Sequence, residues 1–158
     1  TQGDAACVSA MAYNEYWQVL NEGLKPEELT VFRYEDEGVA TLEDGLYVHG
    51  DNLKDAAFKD KMVRFVRASM KGWKYAETNQ AEAAEIVVNN DDSGAQTVDH
   101  NTTQMGEIAK LTAGSNGSLS EADFNRTVDS LMTGGSDPVI TKMPVGAWSH
   151  AITDVALN

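Results

Sequence analysis

The sequence predicts a helix-rich α/β fold carrying two to four short strands, and three observations predict it. One long amphipathic stretch begins at Asp55 and repeats its apolar positions at helical spacing. Two short runs, Leu29-Thr30-Val31-Phe32-Arg33-Tyr34 and Leu46-Tyr47-Val48-His49, are rich in β-branched and aromatic residues and bounded by turn residues. The composition, 42% hydrophobic and 23% charged, is that of a globular chain able to bury a core.

The first element expected is a small, apolar, buried strand within Asp4 to Ala10, with Cys7 as a buried inert thiol. It feeds a helix in which Tyr13, Tyr16 or Trp17, and Leu20 recur on one side, stopping at Asn21-Glu22-Gly23 with Gly23 as the cap. Pro26 opens a turn before the strand at Leu29 to Tyr34, and Glu35-Asp36-Glu37-Gly38 reads as a solvated loop. After Asp44-Gly45 comes the second strand, Leu46 to His49.

From Asp55 onward Phe58, Met62, Phe65, Val66, Ser69, Met70, Trp73 and Ala76 share one face, whereas Lys59, Lys61, Arg64, Arg67, Lys71 and Lys74 fall largely off it. The bases read as a solvated or salt-bridged face, with an anion patch as the alternative. Asn79 breaks this helix and Ala81 to Val88 forms another. A third runs from Thr97 to Thr112, stopped by Gly114-Ser115-Asn116-Gly117. Ser120-Glu121-Ala122-Asp123 resembles a capping box ahead of the stripe Phe124, Val128, Leu131, and Gly134-Gly135 ends that helix. Pro138-Val139-Ile140-Thr141 is expected to be extended, and Trp148, Ile152 and Val155 fit a last helix.

The 158 residues include 25 acids against 12 bases, a formal net charge of −13, of which −8 falls in residues 1 to 50. Such a balance repels phosphate backbones and anionic lipid, so nucleic acid and membrane surfaces are excluded as electrostatic partners. One cysteine makes neither an internal disulfide nor a thiolate zinc site. No apolar run reaches the roughly 18 residues of a membrane-spanning helix, so no membrane insertion is expected of this segment. The chain opens Thr-Gln-Gly-Asp without an initiator Met and reads as a processed or truncated piece.

His49, His100 and His150 show no zinc-type spacing, and there is no Walker loop, Gly-x-Gly-x-x-Gly or Gly-x-Ser-x-Gly motif. Neither a catalytic residue, a metal nor a cofactor is expected, and the chain is read as no enzyme. What stands out is Met11-Ala12-Tyr13-Asn14-Glu15 ahead of the first helix. At a helix start these would offer an aromatic face, an amide that both donates and accepts, and a carboxylate. A polar, nitrogen-rich ring suits that set. The alternative is that Tyr13 and Trp17 only pack the helix.

Three stretches carry a resemblance: Gly3-Asp4-Ala5-Ala6 leading to Tyr13-Asn14-Glu15; Tyr34-Glu35-Asp36-Glu37-Gly38-Val39 leading to Leu46-Tyr47-Val48; and Phe65-Val66-Arg67-Ala68 through Lys71-Gly72-Trp73, with Asn79 and Glu82-Ala83-Ala84. It continues weakly through Gln104 to Glu107 and Ala147 to Ile152. The chain resembles the NMT/Thi-like substrate-binding proteins of ABC importers for nitrate, sulfonates, taurine and thiamine pyrimidine precursors.

The resemblance implies the C-terminal half of a two-lobed periplasmic-binding-protein type II fold. Residues 1–30 would end the second lobe, 31–50 would be hinge crossing strands, and 51–158 the C-terminal helical part of the first lobe. It implies a solute-binding component, periplasmic or lipid-anchored outside the cell, that closes on a small polar solute and docks on an ABC permease. The ligand-binding residues would be Met11, Tyr13, Asn14 and Glu15, with Tyr34 bordering the cleft. The missing wall of that cleft would come from a separate N-terminal half or an exchanged dimer partner. The alternative is a pyrimidine-precursor biosynthesis enzyme, whose cysteine-rich motif is not found here. The acidity of the first fifty residues favours a neutral or cationic, pyrimidine-like solute over nitrate or sulfonate.

Overall fold

A computed structural model describes residues 3–158. The described residues form six α-helices and two short 3-10 turns: α1 (Glu15–Asn21), α2 (Ala56–Thr78), α3 (Gln80–Asn89), α4 (Val98–Thr112), α5 (Glu121–Thr133) and α6 (Thr153–Ala156), with the turns at Pro26–Glu28 and Gly50–Lys54. They contain no strand.

The expected α/β class with two to four short strands, and with it the periplasmic-binding-protein type II plan, is therefore corrected to a helical chain with long coil segments. The apolar run up to Ala10, Leu29–Tyr34, Leu46–His49 and Pro138–Thr141 all lack a ladder. The preference of β-branched and aromatic residues for strands is a preference for a half-buried sheet surface. These runs find none. Leu29 has extended dihedrals, φ −110 and ψ 136, but its amide closes the Pro26–Glu28 turn on the Pro26 carbonyl and no strand among the described residues pairs with it. Phe32 and Tyr47 stand 71% and 82% exposed. Cys7, expected buried, is exposed for the same reason: the strand meant to bury it does not form. The final helix is reduced to the four residues of α6, and Trp148 precedes it.

The helices form where periodicity and caps agree. Thr97 caps α4 by accepting from the His100 amide at 3.3 Å, and Ser120 caps α5 by accepting from the Asp123 amide at 3.3 Å. Gly23, φ 96, stands just past the end of α1 in the left-handed region that only glycine adopts without strain. In α2 the basic side chains are exposed as expected, but they do different things. Arg64 pairs with Asp60 at 3.0 Å, whereas Arg67 donates to the carbonyls of Ala156 (3.2 Å) and Val155 (2.7 Å), satisfying acceptors that α6 leaves open at its C-terminal end.

The chain divides into two compact units: residues up to Thr30 with Met70–Ser115, and Val31–Ser69 with Asn116–Asn158. In the first, α3 and α4 pair as an antiparallel helical hairpin, for Gln80 at the start of α3 lies against Gly106 in the second half of α4. Ala83 and Ala84 are buried in α3, Ala84 fully, and Asn101 of α4 is 1% exposed. Small side chains let the two backbones approach. In the second unit Val63 and Val66 of α2, Val128 of α5 and Ala156 of α6 are buried. There Phe124 and His150 flank the Trp148 ring at centroid distances of 6.2 and 4.8 Å, and His150 donates from Nε2 to the Leu119 carbonyl at 2.8 Å.

Polar groups close the α3–α4 hairpin. Asp91 accepts from the Ser93 amide (2.9 Å), the Ser93 hydroxyl (2.6 Å) and the Gln96 amide (2.9 Å), which hold its carboxyl below the usual carboxylate range. The Gln96 side chain accepts from Asn101 Nδ2 at 2.9 Å, and the same Nδ2 reaches the Thr97 carbonyl at 3.0 Å. At the other end of α3, the Tyr75 hydroxyl donates to Glu82 at 2.5 Å, which pushes the phenol above its usual range.

Two predictions follow from this hairpin. Asn101→Ala leaves the Gln96 side-chain oxygen without its donor, while the Thr97 carbonyl keeps the Asn101 backbone amide, and should destabilise the chain by about 1–3 kcal/mol in denaturant unfolding. Because the Asp91 carboxyl is depressed in the folded state, its contribution is present above the ordinary carboxylate range and is lost as pH falls through the lowered value. The Ser93 and Gln96 amides should therefore lose protection, measured against their intrinsic exchange rates, below about pH 4, and Asp91→Asn should remove that acid dependence.

Candidate functional site

The residues singled out around the start of α1 lie in the first unit, and the turn Ala12–Asn14 delivers them to the helix. Main-chain and side-chain bonds fix that entry. The Met11 carbonyl accepts from the amides of Asn14 (3.1 Å) and Tyr16 (3.3 Å), and the Met11 amide donates to Glu15 Oε2 at 2.8 Å. Glu15 thus ties the incoming chain to the first turn of its own helix. Its negative charge also suits the positive end of the helix dipole. Trp17 donates from Nε1 to the Ala12 carbonyl at 3.1 Å and stacks edge-on against Tyr16, with ring centroids 5.8 Å apart.

Asn14 is the junction of the site. Its Oδ1 accepts from Gln18 Nε2 at 3.3 Å and from His100 Nε2 at 2.8 Å. Because an amide oxygen cannot donate, the bond to His100 places the proton on Nε2 of the imidazole. The other ring nitrogen, Nδ1, is buried and meets no partner among the described residues. With Oδ1 occupied, Asn14 keeps its amide NH2, and Glu15 keeps Oε1; neither group meets a partner among the described residues. A donor and an anionic acceptor are thus left on adjacent residues, beside the half-buried Tyr13.

Met11, Tyr13, Asn14 and Glu15 are brought together, whereas Tyr34 belongs to the second unit. There its ring is 58% exposed and its carbonyl accepts from the Val39 amide at 2.9 Å, closing the Arg33–Gly38 turn. Gln18 and His100 complete the polar cluster and were not singled out from sequence. His100 lies 86 residues from Asn14, and a lone histidine early in a helix carries no local signal of such a contact. Two shallow surface grooves lie elsewhere, one on α4 beside Gln80 and one on α5 beside Gly38 and Val39; neither is lined by the α1 cluster or Tyr34.

In comparison with known families, the NMT1/THI5-like profile matches residues 1–83, more than half of the chain and all of the α1 cluster except its contact from α4. The chain belongs to the NMT1/THI5-like family. No curated protein and no solved structure matches the chain. The NMT1/THI5-like match runs through α1, the coil that follows, α2 and the start of α3, so the family signal and the Asn14 junction share one segment. The family joins solute-binding proteins with biosynthetic members, and membership assigns this chain a solute-binding or related function. No helix of the described residues is long and apolar enough to cross a membrane.

If Asn14 holds α1 to α4 through His100, Asn14→Ala should cost about 1 kcal/mol and speed amide exchange throughout α1. His100→Ala should reproduce the faster exchange. Exchange within α3 should stay unchanged in both variants.

Proposed function

We propose that this chain binds a small, polar, nitrogen-containing solute at the start of α1 and serves an importer as its solute-binding component. The observation that carries the reading is the pairing of an unoccupied amide donor on Asn14 with an unoccupied carboxylate oxygen on Glu15, inside the segment matched by the family. A heteroaromatic ring with an adjacent acceptor and N–H donor is complementary to that pair, and Tyr13 supplies a face for stacking. Binding exchanges the hydration of those groups for direct contacts, while the bonds from Met11, Gln18 and His100 hold them in place beforehand.

Charge supports a neutral or cationic ligand of the pyrimidine type over nitrate, taurine or another sulfonate. Ten acids and two bases occupy the first fifty residues, and the candidate site itself carries a carboxylate. The reading places the protein outside the cytoplasmic membrane, where a solute-binding component meets its permease. Binding rather than turnover is supported by the single cysteine, since the biosynthetic relatives use a cysteine-rich motif.

A thermal-shift series with pyrimidines, taurine, an alkyl sulfonate and nitrate tests this. At one hundred times its dissociation constant a ligand stabilises by about 2.7 kcal/mol, and only the pyrimidine arm should shift the melt. Glu15→Gln should weaken that ligand about tenfold to a hundredfold, as expected for loss of a charge-assisted hydrogen bond. A shift with nitrate or sulfonate alone, or a pyrimidine affinity indifferent to Glu15→Gln, overturns the assignment. Tyr34→Ala, made separately, reports whether the second unit's exposed ring contributes.

A further inference from the structure

His100 carries a buried ring nitrogen that no bond of the α1 cluster uses. This atom, Nδ1, is shut off from solvent and meets no partner among the described residues. A proton on it would create a buried donor without an acceptor, which folded proteins almost never tolerate, whereas a bare lone pair is the milder defect. The imidazole proton therefore belongs on Nε2, which stands 2.8 Å from Asn14 Oδ1. Nε2 is then a donor, and the atom facing it must accept.

The polarity of the Asn14 amide follows. Turned over, it would aim Nδ2–H at Nε2–H, donor against donor, so Oδ1 stays on the His100 side and the NH2 group is left for another partner. Gln18 cannot impose the same order. Its Nε2 donates to Oδ1 at 3.3 Å, but this side chain is exposed and ends in an amide that offers either polarity by turning. The imidazole has no such choice, because its other nitrogen is buried. The first turn of α4 also holds it in place, where the His100 amide donates to Thr97 Oγ1 at 3.3 Å.

We propose that His100 is a positioning residue that sets which solutes the α1 site accepts: through its tautomer it makes Asn14 a donor only. The inference rests on the solute site proposed at the start of α1. Next to Asn14, the Glu15 carboxylate gives one oxygen to the Met11 amide and keeps Oε1, which can only accept. The pair thus reads an acceptor and a donor on the solute in a fixed order. A solute that brings donors to both positions leaves the Asn14 NH2 group unpaired, and sites built on hydrogen bonds reject such ligands strongly. His100 touches no solute in this scheme; it acts from 86 residues away in sequence, through Asn14 alone.

One arm of the test needs no solute. Nitrogen NMR of the histidine rings in the full chain should find the His100 proton on Nε2 and none on Nδ1; a proton on Nδ1 overturns the proposal. The second arm titrates two neutral probes: cytosine, with a ring acceptor beside an amine donor, and ortho-diaminobenzene, with two donors side by side. Their affinity ratio should favour cytosine in the unmodified chain and fall about tenfold in His100→Ala, where the Asn14 amide is free to turn. Asn14→Asp should reverse the preference, because a carboxylate still accepts from His100 but no longer donates, while amide exchange in α1 stays slow. Loss of a merely structural contact would weaken both probes alike. Binding with an unmoved ratio in the two variants therefore overturns the role of His100 alone, whereas binding of neither probe by the unmodified chain overturns the solute assignment and the role drawn from it together.

Discussion

The first unit depends on the close approach of α3 to α4, where Ala83, Ala84 and Asn101 are the buried residues. The Asn101 amide is buried in the helical hairpin next to side chains no larger than alanine at the most buried positions, so it has no water to fall back on. Nδ2 reaches the Gln96 side chain and the Thr97 carbonyl at once, which joins the body of α4 to its own cap. Gln96 in turn donates its backbone amide to Asp91, and Asp91 gathers the turn that leaves α3. A buried amide with both partners in reach fixes the first turns of α4 against the loop that enters it.

The α1 cluster depends on this arrangement. His100 follows the Thr97 cap in the first turn of α4, so the bonds that Thr97 and Asn101 make there also fix where the imidazole stands. From there it holds Asn14 and, through Asn14, the N-terminal end of α1. The bonds from Met11 and Gln18 act within one turn of chain and could form in an isolated peptide; the bond from His100 could not. Positioning of the candidate binding groups is thus divided between a local turn and a tertiary contact. Only the second is sensitive to the hairpin.

The helices were legible in the sequence because their signals are local. Periodicity places α2, Thr97 and Ser120 mark the starts of α4 and α5, and Gly23 marks the end of α1. The strands were misread because a strand is completed by a neighbour that no local pattern reveals. Leu29–Tyr34 and Leu46–His49 have the right residues and, among those described, nothing to pair with. The same limit governs the site. Met11, Tyr13, Asn14 and Glu15 are consecutive enough to be noticed together, whereas His100 joins them across 86 residues and Tyr34 lies in the other unit. Arg67 shows the reverse case, a base that looked like one more solvated charge and instead closes the end of α6.

The buried side chains have a thermodynamic consequence. Among the described residues the buried apolar side chains are all valine or alanine, while Phe32, Phe65, Trp73 and Tyr47 remain largely in contact with solvent. Unfolding therefore uncovers less apolar surface than it would with those aromatics buried, and the heat-capacity increment that such uncovering produces is correspondingly smaller. With a small increment the stability curve flattens and the enthalpy at the midpoint falls, so the chain on its own melts over a broad interval rather than at a sharp temperature. Covering the exposed aromatics would restore both the curvature and the sharpness, which makes the width of the calorimetric transition a direct gauge of how much of this surface is in contact with something else.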